Sequence, residues 1–319
     1  MKHLQFANLP TPIQPLQKLG KKVGFPNLYI KRDDLTGLEF GGNKTRKLEY
    51  VIYDAIQQGA EVIVTVGGLQ SNHVRQTAAV CARYDLDCIL ILTQGDSEEI
   101  PSGNLYLNQL FGAQIITCVA DTREKTVSQV MESITADGKN GYYLPLGAST
   151  NIGAYAYKDA FYEMLQQNSS FDWIVMASGS GGTQAGLVHG AHSADWTGKI
   201  LGISILFDQP TLNGLISPLL VGMAEIDQTL ITDATRVNIN DNYLGNGYGV
   251  MGDLEKNAIL MFAREEGVLL DPVYTGRAAG AMLDLMGKGF FSPEKKILFW
   301  HTGGTPALFC EKYRKYLLQ

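Results

Sequence analysis

The run Phe40-Gly41-Gly42-Asn43-Lys44-Thr45-Arg46-Lys47-Leu48-Glu49-Tyr50 delivers an amine, through two glycines and an asparagine, into what reads as a helix start. Leu48, Val51, Ile52 and Ala55 follow at helical spacing, so Lys44 sits between a close-approach loop and a buried edge. An amine desolvated there can lose its proton near neutral pH and attack a carbonyl to form a Schiff base. The same residues also fit a glycine turn capping a helix whose Lys44, Arg46 and Lys47 are solvated. A phosphate-gripping Gly-x-x-x-x-Gly-Lys-Thr loop is excluded, because Asn43 stands between Gly42 and Lys44 and shifts the register.

A second segment, Ala177-Ser178-Gly179-Ser180-Gly181-Gly182-Thr183-Gln184, carries the strongest anion-site signal. Its glycines let backbone N–H groups converge, Ser180 and Thr183 add donors, and the following helix contributes its positive end. Gln184 occupies the position of the third glycine of a dinucleotide fingerprint, and the Gly-x-Ser-x-Gly frame of a hydrolase elbow is missing. A third segment, Gly67-Gly68-Leu69-Gln70-Ser71-Asn72-His73, is a turn into a helix. Ser71 or Asn72 could serve only as a cap worth about 1 kcal/mol, yet the run offers more polar groups than a cap needs. Near the C-terminus, Asp271-Pro272-Val273-Tyr274-Thr275-Gly276 and Trp300-His301-Thr302-Gly303-Gly304 each follow an apolar run that looks like a strand, which would aim Tyr274 and Thr302 into one crevice. Tyr248, in a glycine-rich loop, offers a second phenol.

These groups need elements to hold them. Apolar, β-branched runs at residues 61–66, 88–92, 114–119 and 142–146 alternate with helical patterns near 43–58, 71–84, 101–112 and 123–136. After a helix near 151–167 the alternation resumes with strands at 173–176, 200–205 and 297–300. The expected fold is α/β: two interwoven three-layer domains with mostly parallel sheets, residues 1–46 and 156–319 forming a larger one and residues 47–155 a smaller one. Reactive groups then collect at the carboxyl ends of strands, in the crevice between the sheets.

At 319 residues the chain can bury a large core, and its net charge of −6 without a basic cluster argues against a nucleic-acid partner. No stretch has the length and apolarity of a membrane span or a secretion signal, so a cytoplasmic location is expected. Cys81, Cys88, Cys118 and Cys310 are far apart and suggest no metal site. One amine, one phosphate cradle and hydroxyls in place of a metal point to pyridoxal 5′-phosphate, an aldehyde that carries a phosphate and acts as an electron sink.

Five ordered motifs then carry a resemblance: Gly-Gly-Asn-Lys-x-Arg-Lys-Leu-Glu, Gln-Ser-Asn-His-Val-Arg-Gln-Thr-Ala-Ala, Ser-Gly-Ser-x-Gly-Thr, Leu-Asp-Pro-Val-Tyr-Thr-Gly and His-Thr-Gly-Gly-x-Pro-Ala-Leu-Phe. Together, from about Leu9 almost to the C-terminus, the chain resembles the D-cysteine desulfhydrase and 1-aminocyclopropane-1-carboxylate deaminase family. The resemblance implies a tryptophan-synthase-β-like fold (fold type II of the pyridoxal-phosphate enzymes), a homodimer, and Lys44 as the lysine that carries the cofactor. It implies that Asn72 bonds the cofactor's ring oxygen, that Ser178, Gly179, Ser180, Gly181, Gly182 and Thr183 hold its phosphate, and that Thr302 faces its ring nitrogen. Tyr248 and Tyr274 would flank a small amino-acid substrate, with Ser71, Asn72 and His73 meeting its carboxylate or assisting proton transfer.

Within the family, deaminases are similar to one another in carrying glutamate after the tyrosine matched by Tyr274, where this chain has Thr275, and typically glutamine where it has His73. A glutamate near the ring nitrogen deepens the electron sink, whereas Thr275, which the resemblance implies lies in the substrate pocket, is a neutral partner sufficient for expelling a good leaving group such as thiolate. The expected reaction is therefore α,β-elimination, D-cysteine giving pyruvate, hydrogen sulfide and ammonia, with Lys44 as the base. Deamination of 1-aminocyclopropane-1-carboxylate to 2-oxobutyrate, release of sulfite from cysteate or of chloride, and a non-catalytic phosphate-ligand binder are the alternatives. Met251-Gly252-Asp253 depart from the family pattern in a loop expected to shape the pocket.

Overall fold

A computed structural model describes residues 1–93, 101–228 and 237–318. Ten strands form two sheets: β1 (Ile13–Pro15), β2 (Leu28–Arg32), β3 (Val62–Gly68), β4 (Asp87–Thr93), β5 (Gln114–Cys118), β6 (Gly141–Leu144), β7 (Trp173–Ser178), β8 (Lys199–Ser204), β9 (Asn238–Asn240) and β10 (Ile297–His301). One sheet has the order β1-β2-β10-β7-β8-β9, and the other β5-β4-β3-β6. Every pairing is parallel except β1 with β2. β2 from the N-terminus lies between β1 and β10, with Ile297 opposite Leu28 and His301 opposite Arg32, so the chain's two ends are built into one sheet.

The helices are α1 (Gln17–Val23), α2 (Asn43–Gln57), α3 (Asn72–Arg83), α4 (Gly103–Leu110), α5 (Arg123–Ala136), α6 (Asn151–Gln167), α7 (Gly182–Ser193), α8 (Gln209–Asp227), α9 (Asp253–Glu266), α10 (Thr275–Gly287) and α11 (Glu311–Leu318). Central strands such as Ile297–His301 are buried along their whole length, as expected of a parallel sheet covered on both faces. The predicted strands and helices fall within a few residues of these bounds. One expectation fails: Val268-Leu269-Leu270, the apolar run before Asp271, is not a strand. Val268 and Leu270 are buried in the core instead, packing where no neighbouring strand offers a ladder.

The helix that bears Lys44 is anchored from below by a buried charge network. The Asp33 carboxylate accepts from Arg46 Nη2 (3.0 Å), Tyr157 Oη (2.6 Å), Trp300 Nε1 (2.8 Å) and Thr11 Oγ1 (2.8 Å). Arg46 also donates to Glu163 (2.8 and 2.9 Å), which in turn accepts from Lys31 at 2.5 Å. Burial by itself would raise the Asp33 carboxyl, but Arg46 and Lys31 hold it at about 2. The network ties β2, α2, α6 and β10 together through groups that are fully paired.

Candidate active site

The carboxyl ends of both sheets open on a cavity of about 780 Å³, large enough for a drug-sized ligand. Lys44, Ser71, Asn72, His73, Ser178, Gly179, Ser180, Gly181, Thr183, Tyr248, Tyr274 and Thr302 all line it. Residues more than 250 positions apart thus meet in one crevice, because parallel strands present their carboxyl ends to the same side.

Lys44 enters from an unusual turn. All six residues from Gly37 to Gly42 have positive φ, including Leu38 (49°), Glu39 (48°) and Phe40 (63°), a conformation that costs an L-residue about 1–2 kcal/mol. The cost is offset by a clamp on the carbonyls. Buried Arg75 donates to the carbonyl of Glu39 and, at 3.1 Å, to that of Gly41, while Gln76 Nε2 reaches the Gly41 carbonyl at 2.5 Å. Gly42 is required where the loop turns into α2: a Cβ there would sit 2.7 Å from Gln76 Nε2 and 3.0 Å from the Thr302 carbonyl.

Burial pulls the Lys44 amine down to about 8 from its ordinary 10.5. The Lys47 amine, one turn on and hydrogen-bonded to that of Lys44, is also buried and lies well below its ordinary value. No acidic side chain contributes to either environment. Lys47 Nζ donates to the carbonyl of Gly147 (3.2 Å) and to Ser149 Oγ (3.3 Å), and Ser149 Oγ lies 2.8 Å from Ser180 Oγ. A Cβ on Gly182 would approach Lys47 Nζ to 2.7 Å. Lys47 and Ser149 therefore stand directly behind the glycine nest. Neither was singled out from sequence, although Lys47 lies three residues after Lys44 on one helix face and Ser149 follows the end of β6.

The nest fits a phosphate. Gly181 adopts φ 81° ahead of α7, which turns successive N–H groups inward. Ser178 Oγ is buried without a partner, an orphan that a ligand oxygen would satisfy. Gly182 itself does not line the cavity; it packs behind the nest against Ser149 and Lys47. A desolvated amine beside an anion cradle is the pair of features that an aldehyde bearing a phosphate requires.

Ser71 settles two readings at once: it caps α3 by accepting from Val74 N (3.4 Å), and it lines the cavity. His73 Nε2 lies 2.8 Å from Thr65 Oγ1, whose proton is given to the Leu144 carbonyl at 2.8 Å. The ring must therefore donate through Nε2, leaving Nδ1 a bare acceptor, and Nδ1 has no partner. Burial, with Lys44 and Lys47 nearby, holds this imidazole well below its ordinary range. A neutral ring with its only N–H engaged is not a carboxylate receptor, which corrects that part of the expectation for His73.

Thr275 is a second correction. It does not line the cavity; its hydroxyl donates to Asp271 Oδ1 at 2.7 Å and accepts from Asp271 N at 2.8 Å. Asp271 thereby caps the start of α10, accepting also from the N–H groups of Val273, Tyr274 and Thr275. Thr302, unlike Thr275, lines the cavity. Tyr248 and Tyr274 share a hydrogen bond of 2.6 Å between their hydroxyls, and burial raises the Tyr274 phenol well above its ordinary value. The Tyr248 loop is held by buried Arg277, which donates to the carbonyls of Leu244 (2.8 Å), Gly247 (3.2 Å) and Val250 (2.8 Å) and to Glu255 (2.6 Å). Tyr248 and Gly249 reach the cavity, but Met251, Gly252 and Asp253 do not: Met251 packs in the core, Gly252 is the N-cap of α9 and Asp253 its first residue.

Among the described residues no group of three or more His, Cys, Asp or Glu side chains could hold a metal, and no helix is long and apolar enough to cross a membrane. A family model described as "Pyridoxal-phosphate dependent enzyme" matches residues 4–303. D-cysteine desulfhydrases of Salmonella typhimurium and Salmonella typhi are each 38% identical over 314 residues, 96% of this chain and 95% of theirs. A crystal structure of an ACC deaminase homologue superposes with a TM-score of 0.92 at 34% identity, covering 100% of this chain and 96% of that one. Threonine deaminase isoform 2 from Solanum lycopersicum shares the fold at 14% identity, with a TM-score of 0.70 and coverage of 98% and 83%.

Proposed function

This chain belongs to the pyridoxal-phosphate dependent enzyme family, and from that premise we propose that it catalyses α,β-elimination on a small amino acid, converting D-cysteine and water to pyruvate, hydrogen sulfide and ammonia. The observation that carries the proposal is the Lys44 amine, desolvated without a carboxylate beside a glycine nest that holds an orphaned hydroxyl. The identity of the substrate is supported by the 38% identical relatives described as D-cysteine desulfhydrases.

Ser178, Ser180, Thr183 and the N–H groups from Gly179 to Thr183 would hold the phosphate, with the Lys47 amine behind it, whose protonated form an anion there would favour. Asn72 would bond the ring oxygen and Thr302 would face the ring nitrogen as a neutral partner. When bound, pyridoxal phosphate withdraws electrons from the α-carbon of an amino acid joined to it, making a proton there removable. Lys44 would hold the cofactor and serve as the base for the α-proton, a role for which an amine at about 8 is suited near neutral pH. The Ser71 hydroxyl and the first N–H groups of α3 receive the substrate carboxylate. The Tyr248–Tyr274 pair, kept protonated, supplies an O–H donor as thiolate departs from the β-carbon.

Residues 47–155 are proposed as the smaller domain and residues 1–46 with 156–319 as the larger, supported by the strands of the four-stranded sheet all lying between 62 and 144. A cytoplasmic homodimer is the proposed setting, by analogy with the family.

The test is direct. Purified protein incubated with pyridoxal phosphate gains a visible absorbance band that borohydride abolishes, and Lys44→Ala lacks the band and at least about a thousandfold of turnover, some 4 kcal/mol of barrier. Sulfide and pyruvate are released from D-cysteine, whereas 2-oxobutyrate is not formed from 1-aminocyclopropane-1-carboxylate. Formation of 2-oxobutyrate alone reverses the choice of substrate, and a chain that stays colourless refutes the enzyme reading.

A further inference from the structure

Asn72 can bond a ring oxygen only if its amide presents nitrogen, not oxygen, to the cavity, and a chain of hydrogen bonds fixes which end faces in. Arg75 is buried and can only donate. Its Nε donates to Oδ1 of Asn104 at 2.9 Å, which pins the oxygen of that second amide against the guanidinium. The nitrogen of Asn104 is thereby turned the other way. Its Nδ2 donates to Oδ1 of Asn72 at 2.8 Å and to the carbonyl of Gln70 at 2.9 Å. Asn72 accepts through its oxygen, so its own Nδ2 is left with no acceptor among the described residues, on a side chain that lines the cavity. A buried donor-only group thus dictates the orientation of two successive amides.

We propose that Asn104 is a positioning residue that holds the Asn72 amide with its N–H donors facing the cofactor's ring oxygen. The inference rests on reading the cavity as the pyridoxal phosphate site. It adds a link between parts of that site: Arg75, the origin of the relay, also clamps the left-handed turn that delivers Lys44. The two groups that would contact the reactive end of the cofactor are then registered to one guanidinium. Asn104 itself touches neither. Its docking does not depend on its side chain, because its backbone N–H donates to Gln70 Oε1 at 2.8 Å and Gly103 packs so closely that a Cβ would fall 2.6 Å from the same oxygen.

Asn104→Asp is the incisive variant. A carboxylate still accepts from Arg75 but has no hydrogen to give, so two oxygens would face each other and the Asn72 amide reverses, turning its oxygen toward the cavity. Measured by titration of the visible band, the dissociation constant of pyridoxal phosphate is expected to rise about tenfold, with the band displaced, while the urea midpoint of the cofactor-free chain stays in place. In an Asn72→Ala background the same substitution is expected to cost nothing further, because its effect passes through that amide. Asn104→Ala serves if the aspartate variant fails to fold, with a loss of a few-fold that again vanishes in the Asn72→Ala background. Equal losses in both backgrounds, or no loss beside intact Asn72, overturn the inference while leaving the site reading intact. A wild-type chain that takes up no pyridoxal phosphate overturns both.

Discussion

Lys44 and Arg46 are two residues apart on the same helix, Arg46 buried and Lys44 half-buried at the cavity wall, and desolvation, which lowers both, ends in opposite outcomes. Arg46 is met by the Asp33 and Glu163 carboxylates and stays firmly charged, a fixed post on which α2 stands. Lys44 and its neighbour Lys47 are met by carbonyls, hydroxyls and a neutral imidazole, and their amines are pushed toward losing protons. Burying a charge is costly in either place. Where counter-charges compensate it, the result is rigidity; where they are withheld, the result is a reactive amine and an appetite for an external anion. The cavity is left short of negative charge, and a phosphate supplies it.

That contrast can be broken from either side. The largest effect is expected at the paired end: Asp33→Asn leaves Arg46 and Lys31 with one carboxylate between them and should cost about 3–5 kcal/mol in denaturant unfolding. The native Asp33 carboxyl lies at about 2, below its ordinary 3.8, so its stabilisation is complete above about pH 4 and is lost as the pH falls toward 2. The asparagine variant should lack that acid-dependent part of the unfolding curve.

A smaller effect comes from making the unpaired end resemble the paired one. Ser149→Asp puts a carboxylate within reach of Lys47 Nζ and Ser180 Oγ, favouring the protonated amine and repelling a phosphate. The affinity for pyridoxal phosphate should fall about a hundredfold, close to 2.7 kcal/mol, by spectroscopic titration. Unchanged affinity would show that Lys47 does not serve the nest.

The finest test is the pH dependence of Lys44 itself. Only the neutral amine attacks, so the initial rate of cofactor capture should rise about tenfold per pH unit and level off near pH 8. An ordinary lysine would still be gaining speed two units higher. In Ser149→Asp the levelling point should move upward, since an added negative charge favours the protonated amines.

Much of this site can be read in the chain before folding is considered. The glycines around Lys44 and Gly181, the cap at Ser71 and the alternation of apolar runs are local signals, set by backbone freedom and side-chain period, and they locate the strand ends and the lysine-bearing turn. Two kinds of feature escape such reading. Thr275 shows the first: its match to the glutamate of the deaminases implies a place in the pocket, but consecutive residues at a helix start point in different directions, and its hydroxyl closes on Asp271. Val268 to Leu270 shows the same limit for strands, since an apolar run becomes a strand only if a neighbour offers a ladder.

The second kind depends on distance through space. Whether a buried cation meets a carboxylate is decided by pairs such as Arg46 with Glu163, 117 positions apart, or Lys47 with Gly147, 100 positions apart. The tautomer of His73 is dictated by Thr65 and Leu144, and the facing of Asn72 by Arg75 through Asn104. Residue types and local spacing by themselves determined that this chain could present an amine and an anion cradle at the ends of parallel strands. Only the tertiary structure decided which charges are neutralised and which are left wanting, because electrostatic energy in a low-dielectric interior follows the separation of atoms and takes no account of their order along the chain.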